Sequence, residues 1–139
     1  MDVISFLEKI LPILMPDFQY EFVDPGEIYG KYAETTPSRK LIQIRCDVYE
    51  RAVAGSARDR FTIAHEIGHL LLHNEEDISF SRMEHKTAIP KYLDPEWQAN
   101  TFAAEFLMNA NLIKGMTAEQ VSCLCGTSFQ TAEIQLKYV

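Results

Sequence analysis

Ile4, Leu7, Leu11 and Leu14 recur at three- and four-residue intervals, the spacing of one apolar helical face, and Asp2 stands at the N-cap position. Pro12 is expected to end or kink that helix, and Pro16 to close the segment. Phe18, Tyr20 and Phe22 then alternate with polar neighbours, which predicts a half-buried strand before a turn at Asp24-Pro25-Gly26. Two further strands are predicted at 27–33 and 40–46, joined by the polar connection Glu34–Arg39. In the second of them Ile42, Ile44 and Cys46 share one face. From Asp47 the period becomes helical: a short helix to about Ser56, a longer one from Ala57 to His73, then an irregular acidic stretch over 74–93. Asp94-Pro95, a cap followed by a first-turn proline, opens a helix that should run to about Met108. Short helices near 117–124 and 128–137 flank Gly126-Thr127-Ser128. Strands first and helices after predict an α+β fold, a small antiparallel sheet packed on helices.

Composition narrows the class. A chain of 139 residues, 47% apolar and 24% charged, has the balance of one globular domain, with 117–139 packed onto it. Lys and Arg number 13 against 20 Asp and Glu, a net charge of −7, which opposes a phosphate-binding surface and direct nucleic-acid contact. No run reaches the roughly 18 apolar residues that span a bilayer. The stretch Met1–Met15 is broken by Glu8 and Lys9 and carries Asp2 where a secretory leader is positive. A cytoplasmic location without membrane contact is therefore expected. Three cysteines, Cys46, Cys123 and Cys125, are too few for a disulfide framework and suit a reducing compartment.

The chemistry lies between residues 60 and 108. RFTIAHEIGHLLLH contains H-E-x-x-H. Four helical residues turn the direction by about 40° and climb about 6 Å, so the imidazoles of His65 and His69 can converge on one cation. Glu66 borders the same face, where its carboxylate can take a proton from a water on that cation. His73 continues the ladder about 12 Å from His65, too far to share the ion, and is expected to serve as a helix-end residue or an outer hydrogen-bond partner. A third ligand must come from downstream: Glu75, Glu76, Asp77, Glu84, Asp94, Glu96, Glu105 or His85. Glu96 is favoured because it opens a helix on which Asn100, one turn further, faces the same way and could hold a histidine ligand. Ala99, Ala103 and Ala104 are small enough for this helix to approach that of His65, while Glu105 faces the opposite side.

RFTIAHEIGHLLLH followed by EWQANTFAAEFLM resembles the ImmA/IrrE family of zinc metallopeptidases, within the gluzincin-like group. The resemblance is close over 60–108 and loose on either side. It implies a zincin-like fold, one zinc ion held by His65, His69 and Glu96, and Glu66 as general base. It further implies cleavage of a helix-turn-helix repressor of the kind carried by phages, mobile elements and stress regulons. Asn109 stands where the family often has proline, and Asn100 where gluzincins often have aspartate.

Other features are weaker. Val121–Ser128 reads like the turn of a helix-turn-helix, but Lys137 is the only basic residue from Phe129 onward, so a packing role is expected in place of DNA reading. Cys123-x-Cys125 is one pair without a second and is expected in the core. Tyr92, His85 and Tyr138 are candidates to stabilise an oxyanion. The leading expectation is a zinc-dependent endopeptidase whose substrate pairs with 40–46 as a sheet edge. Its rival is a zinc-bound module that sequesters a partner without cutting it.

Overall fold

A computed structural model describes residues 1–28, 30–81 and 89–139. Helix α1 runs from Val3 to Leu14 in three stretches, Val3–Ser5, Phe6–Ile10 and Leu11–Leu14. Asp2 caps it by accepting from the Ile4 and Ser5 amides. It passes through Pro12 without ending because Phe6–Ile10 is π-helical, with the Leu11 N–H reaching back to the Phe6 carbonyl. That shift starts a new α-helical segment at Leu11, and Pro12 then falls in its first turn, where a missing N–H goes unmissed.

Three strands follow, β1 (Gln19–Val23), β2 (Ala33–Thr36) and β3 (Leu41–Arg45), in the order β1-β3-β2. The sheet is mixed where an antiparallel one is expected: β3 pairs antiparallel with β2 but parallel with β1, Gln19 opposite Leu41 and Val23 opposite Arg45. The connection 24–32 carries the chain across two strand spacings, about 10 Å, so that β2 forms the far edge. A 3-10 turn at Pro37–Arg39, closed by left-handed Lys40, then folds β3 back into the gap. Among the described residues, 27, 28 and 30–32 are therefore outside any strand, and the second strand lies in the segment whose polarity predicts a connection. Polar Thr35 is buried there, against α3. Residues 40–46 are likewise not an edge. Leu41 and Ile42 point to opposite faces and both are buried, as befits a strand covered on both sides.

The helices are α2 (Cys46–Val53), α3 (Ala57–Leu72), α4 (Glu75–Ser81), α5 (Pro95–Leu107), α6 (Ala110–Ile113), α7 (Ala118–Cys125) and α8 (Phe129–Leu136). Helix α4 occupies part of the stretch whose acidic composition predicts irregular chain. Asn74 and Asp77 cap it reciprocally, each backbone N–H donating to the other's side chain, and its acids favour a helix N-terminus. Asn109 caps α6 by accepting from the Asn111 amide. The core gathers Leu7 and Leu11 of α1, Ile42 and Ile44 of β3, and Ile63 and Ile67 of α3. Cys125 packs against it from the side, whereas Cys123, expected inside, is exposed on α7. Among the described residues no helix is long and apolar enough to cross a membrane.

Helix α3 packs closely on α5, and Gly68 sets the approach. A Cβ there would lie 3.0 Å from the Phe102 ring and 3.3 Å from the Ala99 backbone. Ala99 and Ala103 are fully buried opposite it, as their size predicts.

Candidate metal centre

Helix α3 is anchored before it reaches the site. Ser56 caps it through the Asp59 amide, and the buried Asp59 carboxylate is gripped by Ser56 Oγ at 2.6 Å and Arg51 Nε at 3.0 Å. His65 and His69 then stand one turn apart with ring centres 4.7 Å apart and planes nearly perpendicular. Glu96, in the first turn of α5, meets both. Its Oε2 lies 2.8 Å from His65 Nε2 and 3.1 Å from His69 Nε2.

These three side chains offer two imidazole nitrogens and a carboxylate oxygen within 4.8 Å of one another, a group that could hold a metal ion. A tetrahedral ion with bonds of about 2.0–2.1 Å needs donor separations of about 3.3–3.4 Å, so the two separations from Glu96, 2.8 and 3.1 Å, would open slightly to admit one. Asn100 Oδ1 lies 2.7 Å from His65 Nδ1, which keeps a proton on that nitrogen and turns Nε2 inward. Glu105 is elsewhere, bonded to Gln135 and the Ala110 amide.

Glu66 sits beside the triangle, its Oε2 4.0 Å from His65 Nε2. Its Oε1 meets the Thr35 hydroxyl at 2.8 Å, and the same hydroxyl lies 3.0 Å from the Glu66 carbonyl oxygen. Strand β2 thus holds the carboxyl from across the cleft. A cavity of about 280 Å³ opens here, with Ala33 and Thr35 on one side and Thr62, Glu66, His69 and Glu96 on the other.

Electrostatics follow from burial and partners. Burial pushes the Glu66 carboxyl above its ordinary value, and the neighbouring histidines only partly offset it. Burial also opposes charge on Glu96, but hydrogen bonds from His65 and His69 win and hold it far below the carboxylate range. For His65 burial again opposes the cation, and is outweighed by the bond to Glu96 and the charge of Glu66, so its pKa is raised.

The oxyanion candidates gather less well. Neither Tyr92 nor Tyr138 lines this cavity; both are exposed, and Tyr138 borders a separate groove with Trp97 and Ile134. His85 lies outside the described residues. His73 ends α3 and bonds His69 from behind, in keeping with an outer role. Thr35, bonded to Glu66, and Gln98, bonded to His73, touch this group of side chains, and periodicity does not single them out. Thr35 had one legible signal, a β-branched Thr-Thr pair beside an alternating segment.

A histidine pair on one helix, closed by a glutamate from a second and walled by a small sheet, is the zincin-like arrangement of peptidases. The family model described as the IrrE N-terminal-like domain matches residues 27–125, and the chain belongs to this ImmA/IrrE peptidase family. Among curated proteins, no sequence matches it.

Proposed function

We propose that the chain is a zinc-dependent endopeptidase that cuts a regulatory protein, a helix-turn-helix repressor. The reading rests on one juxtaposition: a buried carboxyl, Glu66, oriented by Thr35 and placed 4.0 Å from one member of a metal-ligating triad. His65, His69 and Glu96 would hold the ion, and the mixed nitrogen and oxygen donor set suits zinc. Such an ion, when bound, polarises the scissile carbonyl and acidifies water.

The remaining work falls to the chain. Glu66 takes the proton of the attacking water and returns it to the leaving amine. Thr35 fixes the carboxyl against rotation. Edge strand β2, which supplies Thr35, can accept an extended substrate as an added strand running past Glu66.

The test is to incubate the purified protein, zinc and a candidate repressor, and to map fragments by mass. A discrete cut, absent with Glu66→Gln at full metal content, is expected. A tight complex with no cut, or equal cleavage by Glu66→Gln, would overturn the reading.

A further inference from the structure

We infer that Gln98 and His73 form a positioning relay that presents the Nε2 lone pair of His69 to the cation. The inference rests on the metal-binding reading above. Behind His69, its Nδ1 lies 2.9 Å from His73 Nδ1, and His73 Nε2 lies 2.7 Å from Gln98 Oε1. The relay ends where Gln98 Nε2 donates to the Tyr92 carbonyl over 2.8 Å.

Proton positions follow from that end inward. A backbone carbonyl only accepts, so the amide nitrogen of Gln98 faces Tyr92 and its oxygen faces His73. An amide oxygen only accepts, so His73 carries its proton on Nε2. Neutral His73 then offers a lone pair at Nδ1, and His69 must donate from its own Nδ1. With Nδ1 held as the donor to His73, the nitrogen left to His69 for a ligand is Nε2, where a cation would displace the proton shared with Glu96 Oε2 at 3.1 Å. With the proton of His73 on Nδ1 instead, His69 Nδ1 would have to accept and Nε2 would hold the hydrogen. That ring could not ligate. An amide two hydrogen bonds away therefore selects the tautomer of a metal ligand.

The local fold makes this possible. His73 leaves the helix with extended backbone at φ −125° and ψ 158°, which lets its ring lie beside that of His69. It is buried, so water does not readily replace Gln98 as its partner. Helix α5 thus orients both histidines by amide oxygens, His65 directly through Asn100 and His69 through His73.

The experiment uses the full chain and zinc alone. In ¹⁵N-labelled wild type, coupling across the hydrogen bond should connect His69 Nδ1–H to His73 Nδ1, a measurement that needs no variant. Gln98→Leu removes the acceptor and should lose that coupling and weaken zinc binding, measured by chelator competition, by about tenfold or more. Gln98→Glu keeps an acceptor for His73 Nε2 but forfeits the donor to the Tyr92 carbonyl, so it should hold zinc more tightly than Gln98→Leu and less tightly than wild type. A proton found on His73 Nδ1 in wild type, or zinc affinity unchanged in Gln98→Leu, overturns the relay alone. Failure of wild type to bind zinc at all overturns the metal-binding reading and the inference with it.

Discussion

The α3–α5 crossing and the α7–α8 pair are both helix pairs with a legible motif, and they spend their side chains in opposite ways. At the crossing, polar groups turn inward and are partnered: Glu96 by two histidines, His65 by Asn100, His73 by Gln98. In the C-terminal pair, apolar groups turn outward. Leu124, Phe129, Ile134 and Tyr138 are exposed, and buried Thr127 Oγ1 lacks a hydrogen-bond partner among the described residues. The pair nonetheless has a well-made turn, with left-handed Gly126 and a complete Thr117–Gln120 capping box. Local rules are enough to specify a turn. A site requires complementary groups that converge from separate elements, as the histidines and Glu96 do at the crossing.

Exchanging the two glutamates of α5 tests this most severely. Glu96→Ala should reduce bound metal to background and abolish cleavage, measured by elemental analysis and a peptide assay. Glu105→Ala, on the other side of the same helix, should keep both, because its partners are Gln135 and the Ala110 amide. Equal metal loss in the two variants would mean that the contrast between the regions is mistaken.

Two glycines sharpen it further. Gly68→Ala adds a methyl against immovable Ala99 backbone at 3.3 Å. Overpacking of roughly 1–3 kcal/mol, offset by about 1 kcal/mol of helix propensity, leaves a net loss of up to about 2 kcal/mol. Gly126→Ala meets only the Arg60 side chain at 3.4 Å, but its φ of 67° strains any residue with a Cβ, costing about 1–2 kcal/mol. Denaturant unfolding should therefore show similar losses. Metal affinity should separate them, falling for Gly68→Ala as Glu96 is pushed away and holding for Gly126→Ala.

What the chain disclosed in advance follows the same division. His65, Glu66 and His69 are related by helical offsets on one helix and Glu96 and Asn100 by an offset on a second, so each set is legible, and small Ala99 and Ala103 announce the close crossing that joins them. Thr35 and Gln98 are not legible as site residues. Thr35 is a polar residue on the buried face of a short strand, beside Ala33, and Gln98 acts through His73, so no single periodicity links them to His69. Strand order escapes for a different reason. Whether the connection 24–32 stops beside β1 or passes beyond it depends on what β3 buries on both faces, a tertiary fact. Helix α4 carried a capping signal in Asn74 and Asp77 that its acidic composition masked.

Acid should loosen the two regions unequally. Burial alone would raise the Asp59 carboxyl, but hydrogen bonds from Arg51 and Ser56 outweigh it and hold it below its ordinary 3.8. A carboxylate depressed on folding stabilises above its unfolded pKa and loses that contribution as pH falls through the folded value. Asp59→Asn should thus cost about 1 kcal/mol at neutral pH, a modest figure because the Arg51 side chain is 42% exposed. The gap to wild type should close below pH 3.8. The cap of α7, Thr117 with Gln120, has no ionisable member. Amide exchange at low pH should accordingly accelerate first at the start of α3.

The smallest effect concerns approach to the partner. Neither region presents a basic surface, and the whole chain carries −7, so a repressor's basic DNA-binding domain would be drawn in at long range. Screening shortens that reach to roughly 8 Å at physiological ionic strength, so the association rate should fall as salt rises. The cleavage step, governed by Glu66 inside a cavity of about 280 Å³, should be far less sensitive once the complex has formed. Stopped-flow binding across a salt series, paired with single-turnover cleavage at saturating enzyme, separates the two. A salt-dependent association rate over a flat cleavage rate is the expected pattern. If association is indifferent to salt, charge does not guide the encounter. Recognition would then rest on contacts made after docking, and the exposed apolar residues of α7 and α8 would be the next to substitute.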